Sequence, residues 1–227
     1  MSNHQSDILF LHPILHAALP AIKKEIKKHL PGGWDVGVAS QGVHRTPSEQ
    51  FDVFKKGRRF NSSTNKWEKV GTTFTPLDGF DKKSRHNFLG AQAVDIILIQ
   101  PDGTVLESGP QERQIATGAN LFGLTWGGNF KVSQDMPHIE IPKSRIYKGD
   151  FAKDEVLQWQ KWLFHAGTLG GPEELDGNWG PHSTDALEKA IGKRERTPEA
   201  WEKLFGKFGA IEDLTDFDNI PFIPPVK

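Results

Sequence analysis

Seven residues, Ala93-Val94-Asp95-Ile96-Ile97-Leu98-Ile99, constrain the fold of this chain more than any other stretch. The run is apolar and mostly β-branched except at Asp95, and Pro101-Asp102-Gly103 follows it, which predicts a strand, a turn and a second strand. A carboxylate inside such a run costs roughly several kcal/mol unless it is paired or bound to a metal. Asp95 therefore demands a partner. From the local sequence alone, a structural salt bridge or cap accounts for it as well as a functional site does.

Around this strand the hydrophobic periodicity places helices. Leu15, Leu19, Ile22, Ile26 and Leu30 recur at steps of four, three, four and four, so a helix is expected from Pro13 to Leu30, closed by Pro31-Gly32-Gly33. The four lysines of its second half read as a solvated face. Val36 and Val38 alternate in a short strand within Trp34–Ser40. Thr46-Pro47-Ser48-Glu49 reads as an N-cap, a first-turn proline and a capping box, opening a helix that turns Phe51 and Phe54 to the core until Gly57. Arg58–Lys83 is polar and turn-rich, and reads as a long functional loop or a small hairpin. A helix near Glu112–Leu121 and a strand near His138–Ile141 complete an α+β pattern.

Charge divides the chain near residue 150. Residues 1–150 hold nineteen Lys plus Arg against fifteen Asp plus Glu, a net of +4, whereas 151–227 hold nine against fourteen, a net of −5. The later part is helical in pattern, with Val156, Trp159 and Leu163 on one face, then Ser183–Ile191 and Pro198–Phe208, and its Asp218–Lys227 end reads as an extended strap. Two domains are expected, 1–150 and 151–227, the first folding without the later helices.

Several function classes fall away on composition. The chain has no cysteine, which excludes disulfides, Cys-ligated zinc and cysteine nucleophiles, so a metal would have to be held by His, Asp or Glu. A formal net charge of −1 gives no sign of nucleic-acid binding. The run Ile8–Leu19 is broken by His12, Pro13 and His16 and lacks a positive leader, so neither a signal peptide nor membrane insertion is expected. Synthesis in a cytoplasm follows, with any target outside it reached by another route. Val38-Ala39-Ser40-Gln41-Gly42 lacks the first glycine of a nucleophile elbow.

Of nine histidines, His4, His12, His16, His29, His165 and His182 read as surface or packing residues with no acidic partner at a useful spacing. His86, in Ser84-Arg85-His86-Asn87, leads into the Asp95 strand, and His138 stands three residues after Asp135 in Asp135-Met136-Pro137-His138. Two His and one carboxylate are the ligand set of many catalytic zinc sites, and a second carboxylate nearby suits a general base.

The order of these pieces resembles the zinc peptidases that include D-Ala-D-Ala carboxypeptidases and the L-alanyl-D-glutamate endopeptidases of phage endolysins. The likeness spans Leu11 to Ile141 and is carried by Arg45-Thr46-Pro47-Ser48-Glu49-Gln50, Lys56-Gly57-Arg58, Ser84-Arg85-His86-Asn87, Ala93-Val94-Asp95, Trp126-Gly127-Gly128 and Asp135-Met136-Pro137-His138. It implies Zn2+ on His86, Asp95 and His138, Asp135 as catalytic base, Arg45 on the scissile carbonyl and its oxyanion, and Ser84 and Trp126 as substrate-binding residues. Asp rather than Glu at 135 points to the endopeptidase branch. One departure stands out: His86 and Asp95 are nine positions apart rather than the family's common seven, the extra pair falling in Phe88–Gln92.

Residues 156–187 resemble a three-helix peptidoglycan-binding domain through Leu175-Asp176-Gly177-Asn178-Trp179-Gly180-Pro181, in which Trp179 either stacks on a sugar or plugs the bundle. The expectation is an α+β chain: a small antiparallel sheet with flanking helices holding a zinc site, plus a small all-α C-terminal domain. The function implied is a monomeric endolysin cutting the L-Ala-D-Glu bond of bacterial peptidoglycan. A D,D-carboxypeptidase and a non-catalytic wall-binding virion protein are the alternatives.

Overall fold

The structure, a computed structural model, describes residues 3–208. The expected Asp218–Lys227 strap lies outside them. At its centre is a four-stranded antiparallel sheet of β1 (Asp35–Val38), β4 (Ala93–Ile99), β5 (Thr125–Trp126) and β6 (His138–Glu140), in the order β1-β4-β6-β5. The strands between β1 and β4 form a separate hairpin, β2 (Arg58–Asn61) with β3 (Lys66–Lys69). Helices α1 (Pro13–Lys28) and α3 (Ile115–Leu121) cover one face of the sheet.

The two-residue period of β4 explains where Asp95 goes. Val94, Ile96 and Leu98 are buried in the apolar core, whereas Asp95, Ile97 and Ile99 fall on the other, half-covered face. One strand thus builds core and site at once. Gly118 lets α3 approach α1, because a Cβ there would come within 2.8 Å of Ile26 and 2.9 Å of Ile22.

Helix α2 (Pro47–Lys55) starts with the expected capping box, Thr46 and Glu49 bonding reciprocally. Its Phe51 and Phe54 do not enter the main core. They are half-buried and pack with Trp67 of the hairpin, and Phe51 also meets Phe80, a satellite aromatic cluster that ties the hairpin down. The second strand expected after Gly103 shrinks to a single bridge, Ile99 to Val105: the turn closes at Gln100–Thr104, and Val105 is 46% exposed with no apolar face to hold.

Helices α4 (Phe151–His165), α5 (Pro181–Ile191) and α6 (Pro198–Phe208) pack around Trp159 and Trp201, whose rings meet edge to face at 5.0 Å. Packing is continuous across residue 150. His12 Nε2 lies 3.0 Å from Asp154 Oδ2, Gln92 donates to the same oxygen, and Trp201 Nε1 donates to Leu9 O. The buried apolar residues of both parts form one cluster. The longer His86–Asp95 connection has a use here. Phe88–Gln92 is buried rather than looped out; Leu89 N donates to Glu155, and Gly90 sits against Trp201. Trp179 is half-buried against the bundle, its ring edge-to-face with Trp159 and with Arg196 over it. No helix among the described residues is long and apolar enough to cross a membrane.

Candidate metal centre

Asp95 of β4 and His138 of β6 are direct partners in the antiparallel register, so their side chains share one face of the sheet. His86 arrives from a short 3-10 turn, Arg85–Asn87, capped by Ser84. The three donor atoms converge. His138 Nδ1 is 3.0 Å from Asp95 Oδ1, His86 Nε2 is 3.3 Å from the same oxygen, and the two nitrogens are 3.3 Å apart. Ligands at zinc distances of ~2.0–2.1 Å around a tetrahedral ion lie ~3.3–3.4 Å from one another, so the triangle fits such an ion with little adjustment.

The outer hydrogen bonds fix which atoms face inward. His86 Nδ1 donates to Val43 O at 2.7 Å, which leaves Nε2 with its lone pair toward the cluster. His138 Nε2 donates to Glu140 Oε2 at 3.2 Å, which turns Nδ1 inward in the same way. Two nitrogen lone pairs and a carboxylate oxygen therefore point at one place, which is stable only around positive charge. The protonation behaviour agrees. Burial opposes a charge on His138, but its bonds to Asp95 and Glu140 outweigh that and push it up to about 10. Burial pushes His86 down, while the two imidazoles hold Asp95 well below the carboxylate range against its own burial.

Arg45 stands beside the triad rather than in it. Its Nη2 bonds Asp95 Oδ2 at 2.7 Å, Nε donates to Gln41 O, and Nη1 reaches Gln50. These bonds use three of its five N–H groups. Asp135 is positioned by Gly127, whose carbonyl accepts from Asp135 N, and which has no room for a Cβ: one would lie 2.4 Å from Asp135 O and 2.8 Å from His138 Cβ. Desolvation by the surrounding protein, then the charge of Asp95, raises the pKa of Asp135.

Ser84 and Trp126 are placed differently from the sequence expectation. Ser84 is buried and its hydroxyl accepts from His86 N; Trp126 is buried in the core and its indole donates to Met136 O. Both brace ligand-bearing segments and neither faces outward. The histidines set aside on spacing also need correction: His4 meets Glu49, His12 meets Asp154, and His29 meets Glu25 one helical turn away. Residues that sequence reasoning missed are Glu140, which orients His138 and lies 3.6 Å from Arg85, and Gln50, which joins Arg45 to Leu77 O. The signal for Glu140 was its place two residues beyond a ligand, on the same face of a strand.

Fold and site together define a class: a small α+β scaffold whose central sheet presents a His–Asp–His set suited to a divalent metal. No family model matches the chain. Over 140 residues it is 29% identical to the peptidoglycan L-alanyl-D-glutamate endopeptidase CwlK of Bacillus subtilis (strain 168), a match covering 58% of this chain and 73% of that protein. The crystal structure of Serratia marcescens L-Ala D-Glu endopeptidase ChiX is 23% identical over 62% of this chain and 87% of its own, with a TM-score of 0.37, a likeness too partial to add weight. The chain is thus similar in sequence to an L-alanyl-D-glutamate endopeptidase over more than half of its length.

Proposed function

We propose that this chain is a zinc-dependent peptidoglycan endopeptidase that cuts the L-Ala-D-Glu bond of the stem peptide. The convergence of His86 Nε2, Asp95 Oδ1 and His138 Nδ1, each held inward by its own outer hydrogen bond or sheet register, carries this reading. Bound at these three atoms, zinc would supply Lewis-acid polarisation and a water of lowered pKa. The residues of the chain supply the rest. Asp135 takes the proton of the attacking water and returns it to the leaving amine. The two N–H groups of Arg45 left over from Asp95, Gln41 and Gln50 offer charge to the oxygen of the tetrahedral intermediate. The family resemblance and an Asp at 135 support the endopeptidase branch over the D,D-carboxypeptidase.

Residues 151–227 are proposed as a wall-binding module on the strength of their motif, and the whole as a monomeric phage endolysin. The deciding experiment is mass spectrometry of products from purified sacculi. Release of stem peptides beginning at D-Glu is expected. Loss of terminal D-Ala alone would assign the carboxypeptidase activity instead, and full activity in chelator-stripped protein would remove the metal from the mechanism.

A further inference from the structure

The Arg58–Lys83 segment is the part of the chain that this mechanism leaves unused. It carries six Lys plus Arg against three Asp plus Glu. Between the outgoing end of its hairpin and the loop before Asp135 lies a cleft of about 860 Å³. The charged lining is Arg58 and Lys69 with no acidic side chain, and Thr72, Thr73, Thr75 and Ser133 add hydroxyls. Arg58 is a fixed cation, its guanidinium 4.1 Å from the Phe54 ring and bonded to Phe54 O. Lys69, exposed at the end of β3, is a flexible one.

Both walls are joined through the chain to residues beside the metal centre. On one side Pro76 precedes Leu77, whose carbonyl accepts from Gln50, and Gln50 in turn holds Arg45. On the other, Ser133 lies two residues before Asp135. The cleft is therefore tied through both walls to the two residues that flank the triad. A glutamyl residue joined onward through one carboxyl keeps the other free, so a peptide cut at a glutamyl nitrogen carries an anion within one residue of the bond. We propose that this cleft binds the free carboxylate of the substrate on the leaving side of the scissile bond, an assignment that rests on the endopeptidase reading.

The test uses the full-length, zinc-loaded protein with two synthetic peptides, L-Ala-γ-D-Glu-L-Lys and its amidated D-isoglutamine counterpart. The wild type should favour the acid over the amide by about tenfold in kcat/KM, the scale of one hydrogen bond to a charged group. Lys69→Glu should bring that ratio close to one, and Lys69→Gln should lower it partway, with unchanged melting temperatures. Added salt should also lower the wild-type ratio, because the cleft is open. An acid-to-amide ratio that is the same in wild type and both variants overturns the proposal. If the wild type cuts neither peptide, the endopeptidase reading fails by itself. Calorimetric binding of the uncleaved acid peptide then decides the cleft: weakening by Lys69→Gln upholds it, and equal or absent binding rejects it.

Discussion

Asp95 and His138 are paired twice, once by backbone register between β4 and β6 and once by the 3.0 Å contact between Oδ1 and Nδ1. Sheet formation itself therefore brings two of the three candidate ligands together, and only His86 depends on a turn. Asp95→Asn should keep the strand pairing, because the amide is isosteric, yet lose metal binding. Isothermal titration with zinc is expected to show at least a ~100-fold weaker Kd, since a three-residue set has no spare donor. Unchanged affinity would remove Asp95 from the ligand set.

Glu140 gives a subtler prediction. It touches the candidate ion only through His138, whose Nε2 it holds at 3.2 Å. Replacing it with Gln removes the charge that makes the imidazole a better donor, and the general cost of losing such an outer partner is ~10–100-fold in metal affinity. Competition with a chromogenic chelator measures this directly. A shift in melting temperature with no change in affinity would assign Glu140 a purely structural role.

Asp135→Asn separates three roles in one variant. As a base outside the ligand set, Asp135 should be dispensable for zinc and for folding, while turnover falls by ~10²–10⁴-fold, the usual scale for losing a general acid–base group. Loss of zinc together with activity would make it a ligand. Near-normal turnover with a lowered melting temperature would make it a loop brace on Gly127.

Much of this site was legible in the sequence because strands publish their faces. Asp95 announced itself by interrupting an apolar run, and the capping box at Thr46 fixed the helix that follows Arg45. What was not legible depended on contacts far apart in the chain. His12 finds Asp154 at a separation of 142 residues, which no local spacing reveals. Phe88–Gln92 reads as a tolerant loop, and the helices packed on it turn it into buried structure. Ser84 and Trp126 lie in site motifs, yet their polar atoms are consumed by backbone partners that only the fold supplies.

That buried loop bears on truncation. Removing residues 151–227 would strip Asp154 from His12 and Gln92, Glu155 from Leu89, and Trp201 from Leu9 and Gly90. Unpartnered buried polar groups cost ~1–3 kcal/mol each, and here the buried side chains of His12 and Gln92 lose a partner before any apolar loss is counted. The 1–150 fragment is therefore expected to melt well below the full chain and to bind zinc more weakly, since the loosened loop lies between His86 and Asp95. Equal melting temperature and zinc affinity in the fragment would show that the first 150 residues fold on their own.

The last prediction concerns acid stability through His44, which is 3% exposed and whose Nδ1 has no hydrogen-bond partner. Burial, then the neighbouring His4, lowers its pKa to about 3, with Glu49 opposing and His86 adding slightly. An unfolded histidine titrates near ~6.5, so between that pH and about 3 the unfolded chain holds one proton more than the folded one. Stability is thus intact above ~6.5 and falls as pH drops through the window, by up to ~1.4 kcal/mol per unit for this one group. His44→Phe keeps an aromatic ring in the stack on Phe10 and removes the titration. In metal-free protein, urea unfolding at two pH values about two units apart within this window should show a loss of stability on acidification that is smaller in His44→Phe by ~2 kcal/mol. Equal losses in the two proteins would mean that His44 takes up its proton in the folded state as readily as in the unfolded one.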